Sequence, residues 1–391
     1  MRISVHDSLG AIAPADWDRL AAGDPFLSHA FLHGLERHDC LAPHGWYPRH
    51  LLAFENARLC AALPLYVRDN SYGEFVFDWN WAEAYERAGG RYYPKLVTAV
   101  PFTPVAGPRL LLAPDGRDPA AAAQALLARV RALARELDCS SWHALFPHET
   151  ALPHFEGGDL MVRQGVQYHW FDRGYGAFEG FLGALNAKRR KEIKRERREV
   201  AASGLVFEVR RGAEITPAHW RIFHRFYCLT FARKWGAPRL TLPFFETLND
   251  GLPDVPVLFL ARDGDEYVAG AFALHGKDTL YGRHWGCTRA VRHLHFELCY
   301  YRTIEYCLRS GLHHLDAGAQ GEHKLPRGFE PIKTWSVHWI ADPRLRAAVR
   351  QFLARETTLV DRHVDDLDRH TAFRRDPDSA AARSGHHDID E

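Results

Sequence analysis

The 391-residue chain carries 50 lysine and arginine residues against 49 aspartate and glutamate residues. Because these charges cancel, the protein lacks the overall positive field of general nucleic-acid binders, and a polyanion must be bound locally. The opening MRISVHDSLG has no signal-peptide pattern, and no apolar run is long enough for a membrane helix. We therefore expect a cytoplasmic protein without a transmembrane segment, large enough for two domains.

Cysteine and histidine usage gives no metal or disulfide pattern. The seven cysteines are scattered and include no CxxC pair, which favours free thiols. Histidines cluster at His313–His314 and in the segment HLHFE, but neither cluster offers two histidines at i,i+4 with a carboxylate nearby. We expect no metal site.

The order of predicted elements repeats between the two halves of the chain. Apolar segments separated by turn residues predict a three-strand meander in each half, at 51–54, 60–66 and 74–79, and at 257–260, 267–274 and 280–285. A helix and a closing strand follow each meander, at 119–137 and 141–146, and at 297–309 and 312–316. Helices also precede each meander, at 15–22 and 28–38, and at 217–231 and 243–248.

This plan is typical of a mixed-sheet α/β domain, and it is also the element order of the GNAT acyltransferase fold. We predict an α/β (α+β) protein of tandem GNAT-like domains, each with a mixed, mostly antiparallel sheet flanked by helices. The N-terminal domain is expected at residues 1–172 and the C-terminal domain at 173–375, followed by a disordered tail at 376–391.

Residues 186–203 predict a basic helix that opens the second domain. The segment 188–199 contains eight basic and three acidic residues, with Asn186 suited to cap the helix and Gly204 to end it. Charge pairs at i,i+4 are consistent with a solvated face. The excess of cations along 188–198 instead favours contact with the phosphates of RNA, including tRNA, or of a nucleotide-linked substrate.

Several segments resemble the bacterial FemAB-like family of N-acyltransferases, which is associated with peptidoglycan biosynthesis or recognition. They are VPFTPVAGPRLL, LNAKRRKEIKRERREV, TFARKWGAPRLT, LYGRHWGC, HFELCYYRTIEYCL and LDAGAQGEHKLPRGFEP. That family is similar, more distantly, to Fem-type transferases, which use two GNAT-like domains to move an amino acid from aminoacyl-tRNA to a peptidoglycan precursor. The resemblance implies amide-bond formation on a small-molecule or peptide acceptor, with aminoacyl-tRNA or acyl-CoA as donor co-substrate and no tightly bound cofactor.

Two departures leave the donor open. The basic helix is short compared with the helical arm that Fem-type proteins insert, which disfavours aminoacyl-tRNA. Residues 287–295 contain no glycine, whereas an acetyl-CoA enzyme needs glycine amides there to bind the pyrophosphate. Arg289 and Arg292 are available to supply charge in place of those amides.

The turn from Gln320 to Lys324 ranks first among the candidate sites. It follows the closing strand of the second half at its carboxyl end, where open α/β sheets bind ligands. Lys324 is predicted to stabilise an oxyanion or a phosphate, with Arg327 as the alternative because the resemblance fits both. Glu322 and His323 are predicted to transfer protons, and Gln320 to contact substrate.

Two pairs of residues complete the predicted site in the second half. Glu297 and His295 are predicted to accept the proton of the incoming amine, although a carboxylate at a helix start is favoured by the helix dipole alone. Arg233 and Lys234 are predicted to bind an anionic part of a substrate, or to form a solvated turn.

Aromatic and basic residues of both meanders are the remaining candidates. Alternation along the last strand of the second meander places Arg283 and Trp285 on one face and His284 on the other, as substrate contacts or as core and ion-pair residues. The first half offers an aromatic and basic wall for an acceptor, with core packing as the alternative. Its residues are Asp78, Trp79, Trp81, Tyr93 and Lys95.

Three functions follow from these features. The first is an amide-forming transferase with aminoacyl-tRNA or another bulky activated donor, acting on a peptide or amino-sugar precursor. The second is an acyl-CoA-dependent N-acetyltransferase. The third is a non-catalytic protein that binds a peptidoglycan precursor.

Overall fold

The computed structural model describes residues 1–155, 157, 159–233, 236–319 and 321–374. Within these residues the chain forms fifteen strands and eleven α-helical segments. The strands are β1 (Arg2–His6), β2 (Trp46–Pro48), β3 (His50–Glu55), β4 (Arg58–Leu63), β5 (Tyr66–Arg68), β6 (Lys95–Thr98), β7 (Leu111–Leu112), β8 (Ser141–Leu145), β9 (Met161–Phe171), β10 (Val206–Arg211), β11 (Pro256–Asp263), β12 (Glu266–His275), β13 (Thr279–Cys287), β14 (His314–Asp316) and β15 (Glu330–Ile340).

The helices are α1 (Pro14–Ala21), α2 (His29–Arg37), α3 (Trp79–Arg87), α4 (Pro119–Glu136), α5 (Phe178–Ala184), α6 (Ala187–Ala201), α7 (Pro217–Arg233), α8 (Leu242–Gly251), α9 (Leu294–Phe296), α10 (Arg302–Ser310) and α11 (Pro343–Arg369). A π-helical segment, Glu297–Tyr301, joins α9 to α10. None of the helices in the described part of the chain is both long and apolar enough to cross a bilayer.

The strands form a small antiparallel sheet and a large mixed one. The small sheet has the order β1-β3-β4-β7 and belongs to the first half. The large sheet has eleven strands in the order β10-β11-β12-β13-β14-β9-β15-β8-β6-β5-β2. Its parallel pairs are β13–β14 and β6–β8, and its other pairs are antiparallel.

The two halves exchange their last strands in the large sheet. Strand β9, at the end of the first half, pairs with β14 and β15, which both belong to the second half. Strand β15, at the end of the second half, lies between β9 and β8 of the first half. The boundary expected at residues 172–173 therefore follows a strand whose neighbours all come from beyond that boundary.

The halves also share a hydrophobic core. One cluster of buried side chains combines α1 and α2 with α7 and α8 and with strands β11 and β12. At its centre the rings of Phe31 and Phe244 meet edge to face, with centroids 5.4 Å apart. All seven cysteines are free thiols.

The second predicted meander is confirmed as β11, β12 and β13, whereas the third strand of the first meander is wrong. Residues 74–78 are not a strand, and α3 begins at Trp79. The reason is a buried ammonium group: Lys95 Nζ lies 2.8 Å from Glu74 and 2.5 Å from Asp78. A strand would hold residues 74 and 78 about 13 Å apart, too far for both carboxylates to reach one ammonium, so the segment folds back on itself instead.

The predicted helix boundaries agree with the structure within a few residues. Asn186 caps α6 by accepting a hydrogen bond from the amide of Arg189 at 3.0 Å. Glu192 pairs with Arg189 at i,i+3, and Arg195 pairs with Glu199 at i,i+4. The tail predicted at 376–391 lies outside the described residues.

Candidate active site

A β-bulge in β13 changes which side chains of this strand face the interior. Phe272 lies opposite His284 and Ala273 lies opposite Gly282, so Arg283 is the additional residue of the bulge. Regular alternation would direct His284 away from Arg283 and Trp285. In the structure His284 lies opposite Phe272 and Trp285 lies opposite Ala271, so these two side chains are on different faces, as predicted. Arg283, the bulge residue, contacts Phe102 instead of sharing a face with Trp285, and all three residues line one cleft where the sheet opens.

The cleft opens where β13 and β14 diverge. These parallel strands pair only from Thr279–His314 to Tyr281–Asp316. Beyond that point β13 continues to Cys287, whereas the segment after β14 turns away from it at Gly318, which has a φ of 84°. Glycine adopts this left-handed conformation without the steric cost that a Cβ would add. The divergence leaves backbone and side chains of both strands facing an open space.

The cleft has a volume of about 440 Å³ and is bounded by both halves of the molecule. Phe75, Phe102 and Pro104 belong to the first half. The second half contributes residues from α7, β12, β13, the π-helical segment and the chain after β14: Tyr227, Thr230, Phe231, Arg239, Phe259, Ala271, Phe272, Ala273, Gly282, Arg283, His284, Trp285, His295, Cys299, Tyr300, Thr303, Ala317, Gly318, Ala319 and His323.

The first-half wall of the cleft is strained and bound to the second half. Phe75 and Phe102 have φ values of 62° and 59°, which are unusual for residues with a bulky side chain. Arg283 donates a hydrogen bond to the Phe102 carbonyl at 2.9 Å. The guanidinium of Arg239 lies 5.5 Å from the centre of the Phe102 ring. Phe102 therefore links both arginines of the cleft.

These two arginines make the cleft electropositive. Burial lowers the pKa of Arg283 to about 10, so the side chain stays charged at neutral pH. Burial, together with Arg283 and Arg239, lowers the pKa of His284 to about 3 and leaves that imidazole neutral. No aspartate or glutamate is found among the described residues that line the cleft. The cleft suits an anionic group.

A tyrosine and a histidine at the cleft are hydrogen-bonded to each other. The Tyr300 hydroxyl lies 2.8 Å from His323 Nε2. Burial, Lys324 and Arg327 lower the pKa of His323, so its imidazole is neutral at pH 7 and able to accept a proton. Gly321 makes room for this ring, since a Cβ at that position would lie 2.0 Å from the imidazole.

His323 also has aromatic neighbours that orient it in the cleft. Its ring centre lies 6.2 Å from that of His295, which in turn lies 5.1 Å from that of Trp285. Tyr300 lies on the π-helical segment, a distortion that is frequent at functional sites. Of the predicted residues, the structure thus brings together Arg283, His284, Trp285, His295 and His323.

Lys324 lies beneath the cleft instead of lining it. Its side chain is fully buried, and its ammonium donates a hydrogen bond to the Gly318 carbonyl. Burial lowers its pKa to about 8, an effect that Asp316 partly opposes. Because Gly318 forms part of the cleft wall, Lys324 stabilises the loop that bounds the site.

Arg327 and Glu297 each belong to a buried ion cluster next to the cleft. Arg327 donates to Glu196 at 2.8 Å and stacks 3.5 Å above the ring of Phe296. The Glu297 carboxylate accepts two hydrogen bonds of 3.1 Å from Arg197 and lies 3.1 Å from Arg302 Nε. Both side chains are turned to structural partners, so neither Arg327 as oxyanion donor nor Glu297 as base is placed at the cleft.

The predicted wall of the first half is a buried network. Lys95 is fully buried and Asp78 is 3% exposed, and Tyr92 donates to the same carboxylate at 2.7 Å. Trp81 is 5% exposed, while Trp79 is at the surface. Tyr93 bonds to Ser71 beside this network. Asp78, Trp81, Tyr93 and Lys95 thus contact other parts of the protein and do not line the cleft. Phe75, which lies next to Glu74 of this network, does line it.

The remaining predicted residues lie at the edge of the site or outside the described residues. Arg233 ends α7 and donates to the Thr288 carbonyl at 3.1 Å. Glu322 lies next to His323 and is exposed. Lys234 and Gln320 are outside the part of the chain that the structure describes. Within that part, no group of three or more histidine, cysteine or carboxylate side chains is arranged to bind a metal ion.

The segment that would bind a CoA pyrophosphate has its arginines occupied. Arg289 pairs with Asp263 at 2.6 Å, and Arg292 lies 3.3 Å from Glu199. The amide of Thr288 is bonded to the Val268 carbonyl. The charges expected to replace glycine amides are therefore partly neutralised by neighbouring carboxylates.

The sequence profile of the FemAB-like family, described as peptidoglycan biosynthesis/recognition, matches residues 8–375. The chain belongs to the FemAB-like family. This confirms the resemblance derived from its motifs. No curated protein matches the sequence significantly.

Solved structures show that this FemAB-like protein shares its fold with FemX and with a putative lysylphosphatidylglycerol synthetase domain. FemX aligns with a TM-score of 0.54 and 12% identity over 90% of this chain and 100% of its own. The C-terminal domain of a putative lysylphosphatidylglycerol synthetase from Agrobacterium fabrum aligns with a TM-score of 0.53 and 11% identity, over 88% and 96% of the two chains. A tandem GNAT protein from the clavulanic acid biosynthesis pathway has a TM-score of 0.46 and 14% identity, over 88% and 99%. The predicted fold class is confirmed.

Sequence reasoning missed several residues of this FemAB-like cleft. Tyr300 is in the motif HFELCYYRTIEYCL, but the π-helical turn that directs it inward has no sequence signature. Phe102 and Arg239 are in the quoted motifs VPFTPVAGPRLL and TFARKWGAPRLT, and the prolines on both sides of Phe102 were the available signal of an irregular backbone. Their meeting at one cleft depends on contacts between the halves.

Proposed function

We propose that this FemAB-like protein is an N-acyltransferase that forms an amide bond between an activated acyl or aminoacyl donor and an amine acceptor. The observation that carries the proposal is the cleft between diverging β13 and β14, with the Tyr300–His323 pair and Arg283 at its wall. The family profile supports a peptidoglycan-related reaction, and the proposed acceptor is a peptide or amino-sugar precursor. The proposed location is the cytoplasm.

The groups at the cleft match the proton transfers of such a reaction. The amine nitrogen attacks the donor carbonyl, a C–N bond forms, and the bond from carbonyl carbon to the leaving oxygen or sulfur breaks. Neutral His323 accepts the amine proton, directly or through the Tyr300 hydroxyl, and the leaving group takes up a proton. The negative charge of the tetrahedral intermediate is stabilised by Arg283 and by backbone N–H groups of the diverging strands.

The charge of the cleft favours substrates that carry an anion beside an apolar group. Among the described residues no carboxylate forms an ion pair with Arg239 or Arg283, and the buried Asp316 acts on Arg283 only at longer range. Phe75, Phe102 and Trp285 form apolar wall. A carboxylate or phosphate of the substrate supplies the missing partner. An acceptor with a free carboxylate, such as a peptide, fits this arrangement.

Aminoacyl-tRNA or another bulky ester is the proposed donor, with acyl-CoA as the alternative. The paired Arg289 and Arg292 disfavour a CoA pyrophosphate at the segment after β13. On this proposal, the phosphates of a tRNA donor contact the basic helix α6 along residues 188–198. Helix α6 lies against the π-helical segment, whose other side forms the cleft.

A product assay tests the proposal. The protein is incubated with aminoacyl-tRNAs or with acyl-CoAs, in each case with precursor peptides and amino sugars, and the products are identified by mass spectrometry. Ala319→Trp, which fills the cleft, is expected to abolish turnover, whereas Ala84→Trp on the exposed face of α3 leaves turnover unchanged.

The outcomes separate the three functions. Product from aminoacyl-tRNA supports the proposal, and product from acyl-CoA alone supports the N-acetyltransferase. Binding of precursors without product from any donor supports a non-catalytic binding protein. Full turnover by Ala319→Trp would show that the chemistry takes place elsewhere.

A further inference from the structure

A second concave surface lies on the side of the π-helical segment that faces away from the cleft. This groove has a volume of about 640 Å³. Glu297 and Arg302 of the 294–310 helical region line the groove, whereas Cys299, Tyr300 and Thr303 of the same region line the cleft. The groove is therefore separate from the proposed acyl-transfer site.

The floor of the groove is apolar. Leu182 of α5, Val200 of α6 and Phe207 of β10 lie along it, and the small side chains of Ala187 and Ala201 leave space above them. Leu182 and Val200 are 5% and 1% exposed, so they form the firm base of the groove and not a loose surface patch. A ligand in this groove needs an apolar part to cover the floor.

The rim of the groove is cationic and its charges are not neutralised. Arg190, Lys191, Lys194 and Arg198 line it, and no carboxylate among the described residues lies within ion-pair distance of any of the four. Lys191, Lys194 and Arg198 are exposed to solvent. The spacing of these three residues places them on one side of the helix, about 10 Å from first to last.

The carboxylates near the groove cannot serve these cations. Glu297 is bound by Arg197 and Arg302, and Glu305 is bound by Arg197. Glu179 is the other acidic residue among the described residues of the lining. The rim thus has a clear excess of positive charge, which calls for an anionic partner.

We propose that the groove binds an anionic phospholipid and so attaches the protein to an anionic membrane surface. One acyl chain lies on the floor between α5, α6 and β10, and the phosphate lies among Lys191, Lys194 and Arg198. A phospholipid matches both the floor and the rim of the groove, because it carries an alkyl chain and a negative head group in one molecule. RNA would neutralise the rim but would bring no alkyl chain to cover Leu182 and Val200.

Cosedimentation with vesicles tests the rim. The protein is expected to bind vesicles of phosphatidylglycerol and phosphatidylcholine, and to bind pure phosphatidylcholine at least tenfold more weakly, since each cation near an anionic surface contributes about fivefold in affinity. Lys191→Glu/Lys194→Glu is expected to abolish this binding. The matched control is Lys188→Glu/Arg195→Glu, which makes the same charge change on the same helix at residues that do not line the groove.

Alkyl phosphates test the floor. Affinity measured by calorimetry is expected to rise up to about fourfold per methylene from butyl to decyl phosphate, because each buried methylene adds a hydrophobic contribution. Ala201→Trp, which fills the groove from an exposed helix position, is expected to remove this chain-length dependence while retaining the cations. Circular dichroism checks that each variant is folded.

Three results would overturn the proposal. Equal affinities for inorganic phosphate and decyl phosphate would show that the floor takes no chain. Equal losses in the two double variants would show a diffuse charge effect. Binding of tRNA that depends on Lys191 and Lys194, with no binding of anionic vesicles, would assign the rim to RNA instead.

Discussion

The hydroxyl of Tyr300 and Nε2 of His323 lie 2.8 Å apart on the wall of the cleft, although one residue is in a π-helical turn and the other in a loop after β14. If this pair moves the amine proton, His323→Ala will lower kcat about 100-fold or more, because a positioned base contributes roughly that factor. In the wild type, kcat/KM is expected to fall as the pH drops through the lowered pKa of His323, below 6.5. Initial rates across pH 5 to 8 measure both effects.

A second tyrosine–histidine pair provides the control for this prediction. Tyr306, on α10, bonds to His275 Nδ1 at the same distance of 2.8 Å, but neither residue is among the described residues of the cleft. Tyr300→Phe is expected to lower kcat, and Tyr306→Phe to leave it unchanged. Equal activity of the two phenylalanine variants would exclude the Tyr300 hydroxyl from proton transfer.

The arginines of the cleft are expected to control affinity for an anionic substrate. Arg239→Met should raise KM by about 10- to 100-fold, since a hydrogen bond to a charged group contributes about 1.5–3 kcal/mol. Arg283→Met should raise KM and also lower kcat, because Arg283 is proposed to stabilise the tetrahedral intermediate as well. Steady-state kinetics with a carboxylate-bearing acceptor, and with the same acceptor as its neutral amide, measure this effect. Arg233→Met, at the end of α7, is the control and should change KM less than twofold. If Arg233→Met lost the preference for the carboxylate-bearing acceptor while Arg239→Met and Arg283→Met kept it, the assignment of the anion site to Arg239 and Arg283 would be wrong.

Lys324 should give the protein a distinctive dependence of stability on pH. Its pKa is about 8 in the folded protein and 10.5 in its ordinary state. Between these values the unfolded chain binds more protons, so the free energy of unfolding must rise with pH, by up to about 3 kcal/mol. Below pH 8 both states are protonated and the cost of the buried charge is present in full.

Urea denaturation of the wild type and Lys324→Met measures this contribution. From about pH 7 to about pH 10, the free energy of unfolding of the wild type is expected to rise relative to that of Lys324→Met. Comparison of the two proteins cancels the other groups that titrate in this range. A constant difference would mean that Lys324 keeps its proton in the folded protein up to about pH 10, so that burial does not lower its pKa.

Glu297 is expected to stabilise the fold without serving as the base. Glu297→Gln leaves Arg197 and Arg302 without part of their charge partner, and removal of one member of a buried ion pair costs about 3 kcal/mol or more. Glu305→Gln, whose side chain is 25% exposed, should cost under about 1 kcal/mol. Thermal unfolding measures the loss. A Glu297→Gln variant of normal stability without turnover would restore Glu297 as the base.

The sequence predicted the fold class and the second meander because that part of the chain follows regular patterns, but it did not predict β9, β15 or α11. Alternation and turn residues define β11, β12 and β13, and Gly311 ends α10 with a φ of 67°. The third strand of the first meander failed because Glu74 and Asp78 pair with Lys95, whose position depends on a strand more than fifteen residues later. The local sequence pattern cannot show that two carboxylates bind the same distant ammonium group.

The site was predicted less fully than the fold. The motif around Arg283, His284 and Trp285 identified a strand that lines the cleft, but the bulge at Arg283 arises from register with β12 and was not predicted. His323 was identified from its position after a closing strand, whereas Tyr300 was not, because a π-helical turn depends on the tertiary packing around it. Lys324 was placed in the correct loop, and its burial beneath Gly318 became visible only in three dimensions.

The crossing of β9 and β15 has a consequence for how the protein is made. When the ribosome has synthesised residue 171, β9 has no strand to pair with, because its neighbours β14 and β15 come from residues 314–316 and 330–340. Until Ile340 has emerged, β8 and β9 are left with open edges that invite pairing with other chains. A nascent chain of this protein therefore carries open strand edges for about half of its translation, and a gene fragment that encodes either half alone is expected to yield insoluble product.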